Sequence, residues 1–296
     1  MRNIIFLAIC FLTTGCQNWS AFTLRVGNMI FGGCNDLPGK WLTVPGDSDY
    51  GTKDFCVMKY EAKNLDGIAF SIPTEMPWVN ITQTDAKAKC DSIGDGYSLI
   101  SNEQWMTLAS NIASVSVNWS ENDIGNGTLN LGHSDDSPAQ ALTAAADDNQ
   151  ACILTGEECD HSKWDFQKRT HQLSNGEVIW DLSGNVFEWT SYNDPTGKPV
   201  PVTSSGIQFP EVADGNRTLK KMLVPTKVIK PWWDDKWNSS HGIGKYYSGK
   251  EGVGGALFRG GYWYNGSAAG IFLADFGDDP DDSFIGTGFR CVAIKP

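Results

Sequence analysis

Apolar and polar positions change period several times along the chain. Phe55-Cys56-Val57-Met58-Lys59-Tyr60-Glu61 alternates as a half-buried strand does. Thr82 to Ile93 switches to helical spacing, with Ala86, Cys90 and Ile93 on one face, Thr82 or Thr84 as cap and Gly94 as terminator. A second helix is predicted from Ser101. Ser101-Asn102-Glu103-Gln104 has the form of a capping box, and Trp105, Leu108 and Ile112 form the apolar stripe.

Residues 114–177 are rich in Ser, Asn, Asp and Gly and predict long loops. Val178 to Leu182 is a strand, Ser183-Gly184-Asn185 a turn, and Val186 to Trp189 the continuation. Residues 193–250 read as loop, punctuated by Pro195, Pro199, Pro201, Pro210, Pro225 and Pro231. Ala256 to Arg259 and Gly288 to Ile294 are the last strands. No internal repeat appears, so 36–296 is expected to be one domain, α+β, loop-rich, with two helices and short antiparallel strands.

The N-terminus has its own pattern. Arg2 precedes an apolar run from Ile4 to Leu12, too short to span a bilayer, and Thr13-Thr14-Gly15-Cys16 follows. This resembles a bacterial lipobox, although Thr13 stands where Leu is usual. The expectation is a signal peptide over 1–15, lipidation at Cys16, and a tether over 16–35. An ordinary cleaved signal peptide is the alternative. Gln17 resembles an outer-membrane sorting residue, so the predicted location is the outer membrane with the domain exposed at the cell surface.

Composition sharpens this. The 296 residues carry a net charge of −12, which disfavours nucleic acid as a partner. The 12 Trp and 32 Gly suit irregular backbone pinned by large side chains. Cys34, Cys56, Cys90, Cys152, Cys159 and Cys291 remain once Cys10 and Cys16 are set aside, an even set suited to disulfides in an oxidising compartment. Cys152 and Cys159 are the easiest local pair. The chain has no GxSxG, P-loop or HExxH motif.

Three segments stand out: Tyr97 to Trp105, Trp180-Asp181-Leu182-Ser183-Gly184-Asn185-Val186-Phe187-Glu188-Trp189, and Phe258-Arg259-Gly260-Gly261-Tyr262-Trp263 followed by Gly288-Phe289-Arg290-Cys291. In this order they resemble the formylglycine-generating-enzyme (sulfatase-modifying factor) family, whose fold is a variant of the C-type lectin fold. The resemblance implies a candidate structural calcium at Asp181, Gly184, Val186 and Glu188, oxygen donors of suitable hardness; a carboxylate pair capping the turn is the alternative. That family's enzymes hold copper with a pair of cysteines near the third motif. No cysteine lies between Arg259 and Gly288, so no soft copper site is expected there, no other cofactor is required, and the chain is expected not to be an enzyme.

Arg259 to Cys291 also resembles the variable region of diversity-generating-retroelement target proteins. In those, directed mutation of template adenines confines the diversified codons to a subset of residues. The resemblance places the diversified positions at Tyr264, Asn265, Ala268, Asp275, Gly277, Asp278, Asp282, Phe284 and Gly286, and Tyr262 joins them as a ligand-binding candidate. Lys, Glu, Gln, Met and Trp, which such codons cannot encode, are absent from Tyr264 to Thr287. A surface receptor or adhesin for a protein or glycan is the implied function. A fixed lectin-like domain, or an inactive relative of the sulfatase-modifying enzymes, remains the alternative. The fold resemblance further implies that Phe258–Trp263 and Gly288–Ile294 pair, with 268–287 looping over one face and Trp263, Phe272 and Phe289 turned inward.

Overall fold

The computed structural model describes residues 33–193, 241–247 and 255–294. The signal peptide, Cys16, most of the tether and most of the proline-punctuated stretch lie outside the described residues. The chain order is β1 (Trp41–Val44), β2 (Phe55–Met58), β3 (Lys63–Leu65), β4 (Ile68–Phe70), α1 (Gln83–Asp91), β5 (Tyr97–Leu99), α2 (Asn102–Ala113), β6 (Thr170–Gln172) and β7 (Val178–Trp180). Then come β8 (Phe187–Asn193), β9 (Tyr246–Tyr247), β10 (Ala256–Gly260), β11 (Gly270–Asp278), β12 (Thr287–Phe289) and β13 (Cys291–Ile294). This is the expected α+β arrangement of the C-type lectin type.

Both helix starts follow their sequence logic. Thr82 Oγ1 accepts from Asp85 N at 2.9 Å, and Ser101 and Gln104 complete the reciprocal capping box. The α2 stripe is fully buried, and Trp105 Nε1 donates to Ile271 O at 2.7 Å, fastening the helix to β11.

One sheet has the order β1-β2-β13-β5 and a second β12-β8-β10-β11-β9. β2 was expected to be half-buried, yet all four of its residues are buried. Its alternation separates two cores: Phe55 and Val57 enter one cluster, Cys56 and Met58 the other. An interior strand with both faces covered keeps the period of two while losing its solvent side. The strand pairing also departs from expectation. β10 and β12 do not pair; β8 lies between them, antiparallel to β10 and parallel to β12. β13 joins the other sheet, beside β2 and β5. The segment expected to loop freely from 268 contains the nine-residue strand β11, buried along most of its length. Its apolar run Ile271-Phe272-Leu273-Ala274 is buried, with Leu273 in one core cluster and the other three in the other.

Three disulfides staple the domain: Cys34–Cys56, Cys90–Cys291 and the expected Cys152–Cys159. Cys34 is buried, so the last residues assigned to the tether already belong to the folded unit. No described helix is long and apolar enough to cross a membrane.

Candidate functional site

The five-stranded sheet carries a cross-strand row with one residue from each strand: Phe289 on β12, Trp189 on β8, Phe258 on β10, Asp275 on β11 and Tyr247 on β9. Four are aromatic. Trp189 and Phe258 lie with ring centroids 3.9 Å apart, and Phe187 stacks on Phe258 at 5.3 Å. Tyr262 stacks on Phe187 at 5.0 Å, Phe284 meets Tyr262 edge-on at 5.7 Å, and Tyr264 stands 6.4 Å from Tyr262. The buried row thus rises ring by ring to a surface where Tyr262 and Phe284 are half-buried and Tyr264 is 65% exposed. Trp263, Phe272 and Phe289 are buried, as expected of the segment's inward set.

The other expected positions divide. Asp278 and Asp275 are half-buried on β11, and Asp282 is exposed in the turn that follows, accepting from Asp279 N. Asn265 uses its side-chain oxygen to accept from Tyr262 N at 2.8 Å, which shapes the loop beneath the rings. Ala268 is 8% exposed and Gly286 is buried. A Cβ on Gly286 would come within 2.6 Å of both the Tyr262 and Phe284 rings. These two residues therefore underlie the face instead of forming it. Gly277 donates its N–H to Asp275 Oδ1 at 2.8 Å, and a Cβ there would sit 2.9 Å from that oxygen.

Burial, with Asp278 adding repulsion, pushes the Asp275 carboxyl up to about 7, against the opposing pull of the Gly277 N–H. Burial also raises the Tyr247 hydroxyl, with Asp275 and Tyr262 contributing. Tyr247 was missed in the sequence because it falls in the stretch assigned to loop. The Tyr246-Tyr247 pair, two β-favouring aromatics in succession, is the signal that could have found it.

Behind this face lies a buried ionic network. Arg290 donates to both Glu188 carboxylate oxygens, at 2.6 Å from Nε, and to the carbonyls of Met58 (3.0 Å) and Trp180 (3.1 Å). Burial works against its charge, and the adjoining Glu188 carboxylate more than reverses that, so its pKa is raised. Arg169 grips Asp181 through Nε at 2.7 Å and Nη2 at 2.8 Å. Asn185 Nδ2 donates to Glu61 at 2.7 Å, and burial pushes the Glu61 carboxyl up to about 8.

The calcium expectation does not fit these residues. All four carboxylate oxygens of Asp181 and Glu188 accept from guanidinium groups, and those arginines would repel a cation. At Gly184, φ is +74° and a Cβ would come within 2.4 Å of His133 O; the turn is held by close backbone packing. Asp181 and Glu188 thus serve as anchors for arginines, the structural alternative to a metal site.

The chain has matches among known families and structures. No curated protein matches it. Among solved structures it is similar to Treponema denticola variable protein 1, at 13% identity and TM-score 0.39, covering 88% of this chain and 94% of that one. It is similar to the Major Tropism Determinant P3c variant at 15% identity and TM-score 0.34, covering 72% of this chain but spanning 37% of that protein's length. PvdO from Pseudomonas aeruginosa aligns at 14% identity and TM-score 0.33, over 87% of this chain and 92% of that one. The family model for the sulfatase-modifying factor enzyme 1-like domain matches residues 18–295, nearly the whole chain. With the Trp180–Trp189, Phe258–Trp263 and Gly288–Cys291 segments building one scaffold, the chain belongs to the sulfatase-modifying factor enzyme 1-like domain family.

Proposed function

We propose that this protein is an exported, non-enzymatic binding protein that presents the face formed by Tyr262, Tyr264, Phe284 and Asp275 to a ligand outside the cell. One observation carries the reading: a ladder of rings ends in exposed and half-exposed aromatics, and the rings beneath them, Phe187, Trp189 and Phe258, are buried and packed on one another. Rigid aromatics offer large contact area at low entropic cost, the property that makes them binding anchors. On the enzymatic side, the six described cysteines are all in disulfides, so none of them offers a thiolate for copper.

Membrane attachment through Cys16, display at the cell surface and retroelement-driven diversification of Tyr264, Asn265, Asp275, Gly277, Asp278, Asp282 and Phe284 complete the proposal. Ala268 and Gly286 would tune the face from below.

The test is binding of wild type and the Tyr262→Ala/Tyr264→Ala/Phe284→Ala variant to arrays of purified surface proteins and of glycans. The reading expects a wild-type hit that the triple variant loses while still folding. A hit unchanged in the variant would place the site elsewhere. Palmitate labelling that is equal in wild type and Cys16→Ser would end the anchor proposal. A gene neighbourhood without a reverse transcriptase and an adenine-rich near-copy of the Arg259–Arg290 coding segment would end the diversification proposal.

A further inference from the structure

Within the aromatic cross-strand row, Asp275 is the one polar rung. Its register partners are Phe258 and Tyr247, and its neighbour two residues back on the same face, Leu273, is fully buried in the same apolar cluster as Trp189 and Phe258. Packing alone would favour another ring or a branched aliphatic here, because burying a carboxylate without a countercharge is costly. The charge acting on Asp275 is that of Asp278, of the same sign. Among the described residues no Lys, Arg or His pairs with it. Arg259 is one position off the row on β10 and is turned to Asn102 and the Phe272 and Leu273 carbonyls. The side chain is nonetheless held in place: Gly277 N fixes Oδ1, and the missing Cβ at 277 makes the room. It is also reachable, since Asp275, Tyr247 and Tyr262 are each partly exposed.

A positioned, partly desolvated carboxylate beside Tyr247, a residue that feels both Asp275 and Tyr262, is complementary to an organic cation, which gains both a charge-assisted hydrogen bond and the negative face of a ring. We propose that Asp275 is the anchor for the ammonium or guanidinium group of a lysine or arginine side chain on a protein partner, received between Tyr247 and Tyr262. This rests on the reading of the face as the binding site and adds the chemistry of what it takes.

The experiment titrates the full chain, labelled with nitrogen-15, with four small probes at one pH near 7.5: the N-acetyl amides of lysine, arginine, norleucine and citrulline. The last two keep the shape and lose the charge. The proposal expects saturable shifts of the Tyr262, Asp275 and Gly277 amides with the two cationic probes. Their affinity should exceed that of the neutral analogues by about tenfold or more, and Asp275→Asn should erase the preference. Because wild type alone supplies the charge comparison, a poorly folding variant does not blunt the test. Equal shifts from norleucine or citrulline would overturn the cation assignment while leaving the face as a binding site. Cationic probes that shift amides elsewhere would overturn it too. If none of the four probes moves these amides, the cation assignment falls, while the binding face itself stands or falls on the array comparison of wild type with the triple variant.

Discussion

Consider Arg290→Leu. The guanidinium is fully buried, neutralises a fully buried Glu188, and holds the carbonyls of Met58 on β2 and Trp180 on β7. Removing it leaves Glu188 either charged and alone or protonated against its preference, at a cost of about 3–5 kcal/mol. The carbonyls of Met58, Trp180 and, at longer range, Asp181 also lose a charged donor, roughly 1 kcal/mol or more for each of the two shorter bonds. The sum is of the same order as the whole stability of a typical domain, about 5–15 kcal/mol. The single variant should therefore unfold at far lower urea, followed by tryptophan fluorescence and circular dichroism. Glu188→Leu with Arg290→Leu removes both charges and should recover more than half of the loss, because the desolvation cost disappears with the charges. A single variant within about 1 kcal/mol of wild type, or a double variant no better than the single, would refute the account of this network as a closed pair.

Asp275 is raised from an ordinary 3.8 to about 7 in the fold, so its stabilising contribution is complete below pH 4 and is lost as pH climbs through 7. Asp275→Asn should thus gain on wild type by about 2 kcal/mol between pH 4 and pH 8, a figure reduced from the full shift because the group is partly exposed; an equal difference at both pH values in urea melts would contradict it. Trp263→Ala, which empties a buried site, should cost on the order of 3–5 kcal/mol, whereas Tyr264→Ala should stay within about 0.5 kcal/mol in thermal unfolding; the reverse order would mean that scaffold and face are wrongly divided. Calcium at millimolar concentration, or a chelator, should leave the melting temperature unchanged, and a calcium-dependent rise would reopen the Asp181–Glu188 turn as a metal site.

Local signals were legible where one residue type has one physical job. The cap at Thr82, the capping box at Ser101 and the short-range Cys152–Cys159 bridge were all readable because each depends on neighbours in sequence. The turn at Gly184 was readable for the same reason. Long-range pairing was not. That β8 separates β10 from β12, and that β13 crosses to the other sheet, depends on which edges meet in space, and short strands of similar composition do not encode their partners. β11 is hidden in the sequence because the acidic stretch that begins inside it, Asp275 to Asp282, masks the apolar run before it. The calcium expectation meets a similar limit. Oxygen donors at the right spacing say nothing of arginines from elsewhere in the chain, here Arg169 and Arg290, that occupy them first.

The Cys90–Cys291 bridge joins α1 to the first residue of the last strand across 201 positions. Most of the domain, the proposed binding face included, therefore lies inside one covalent ring. A protease that cuts the backbone once between residues 91 and 290 would open the ring without releasing a fragment. The two new ends would remain on one molecule of unchanged composition apart from an added water, and reducing agent would be needed to separate them. Under the proposed export, such a closure makes a first cut survivable. It also means that intact mobility on a non-reducing gel is no sign of an intact chain.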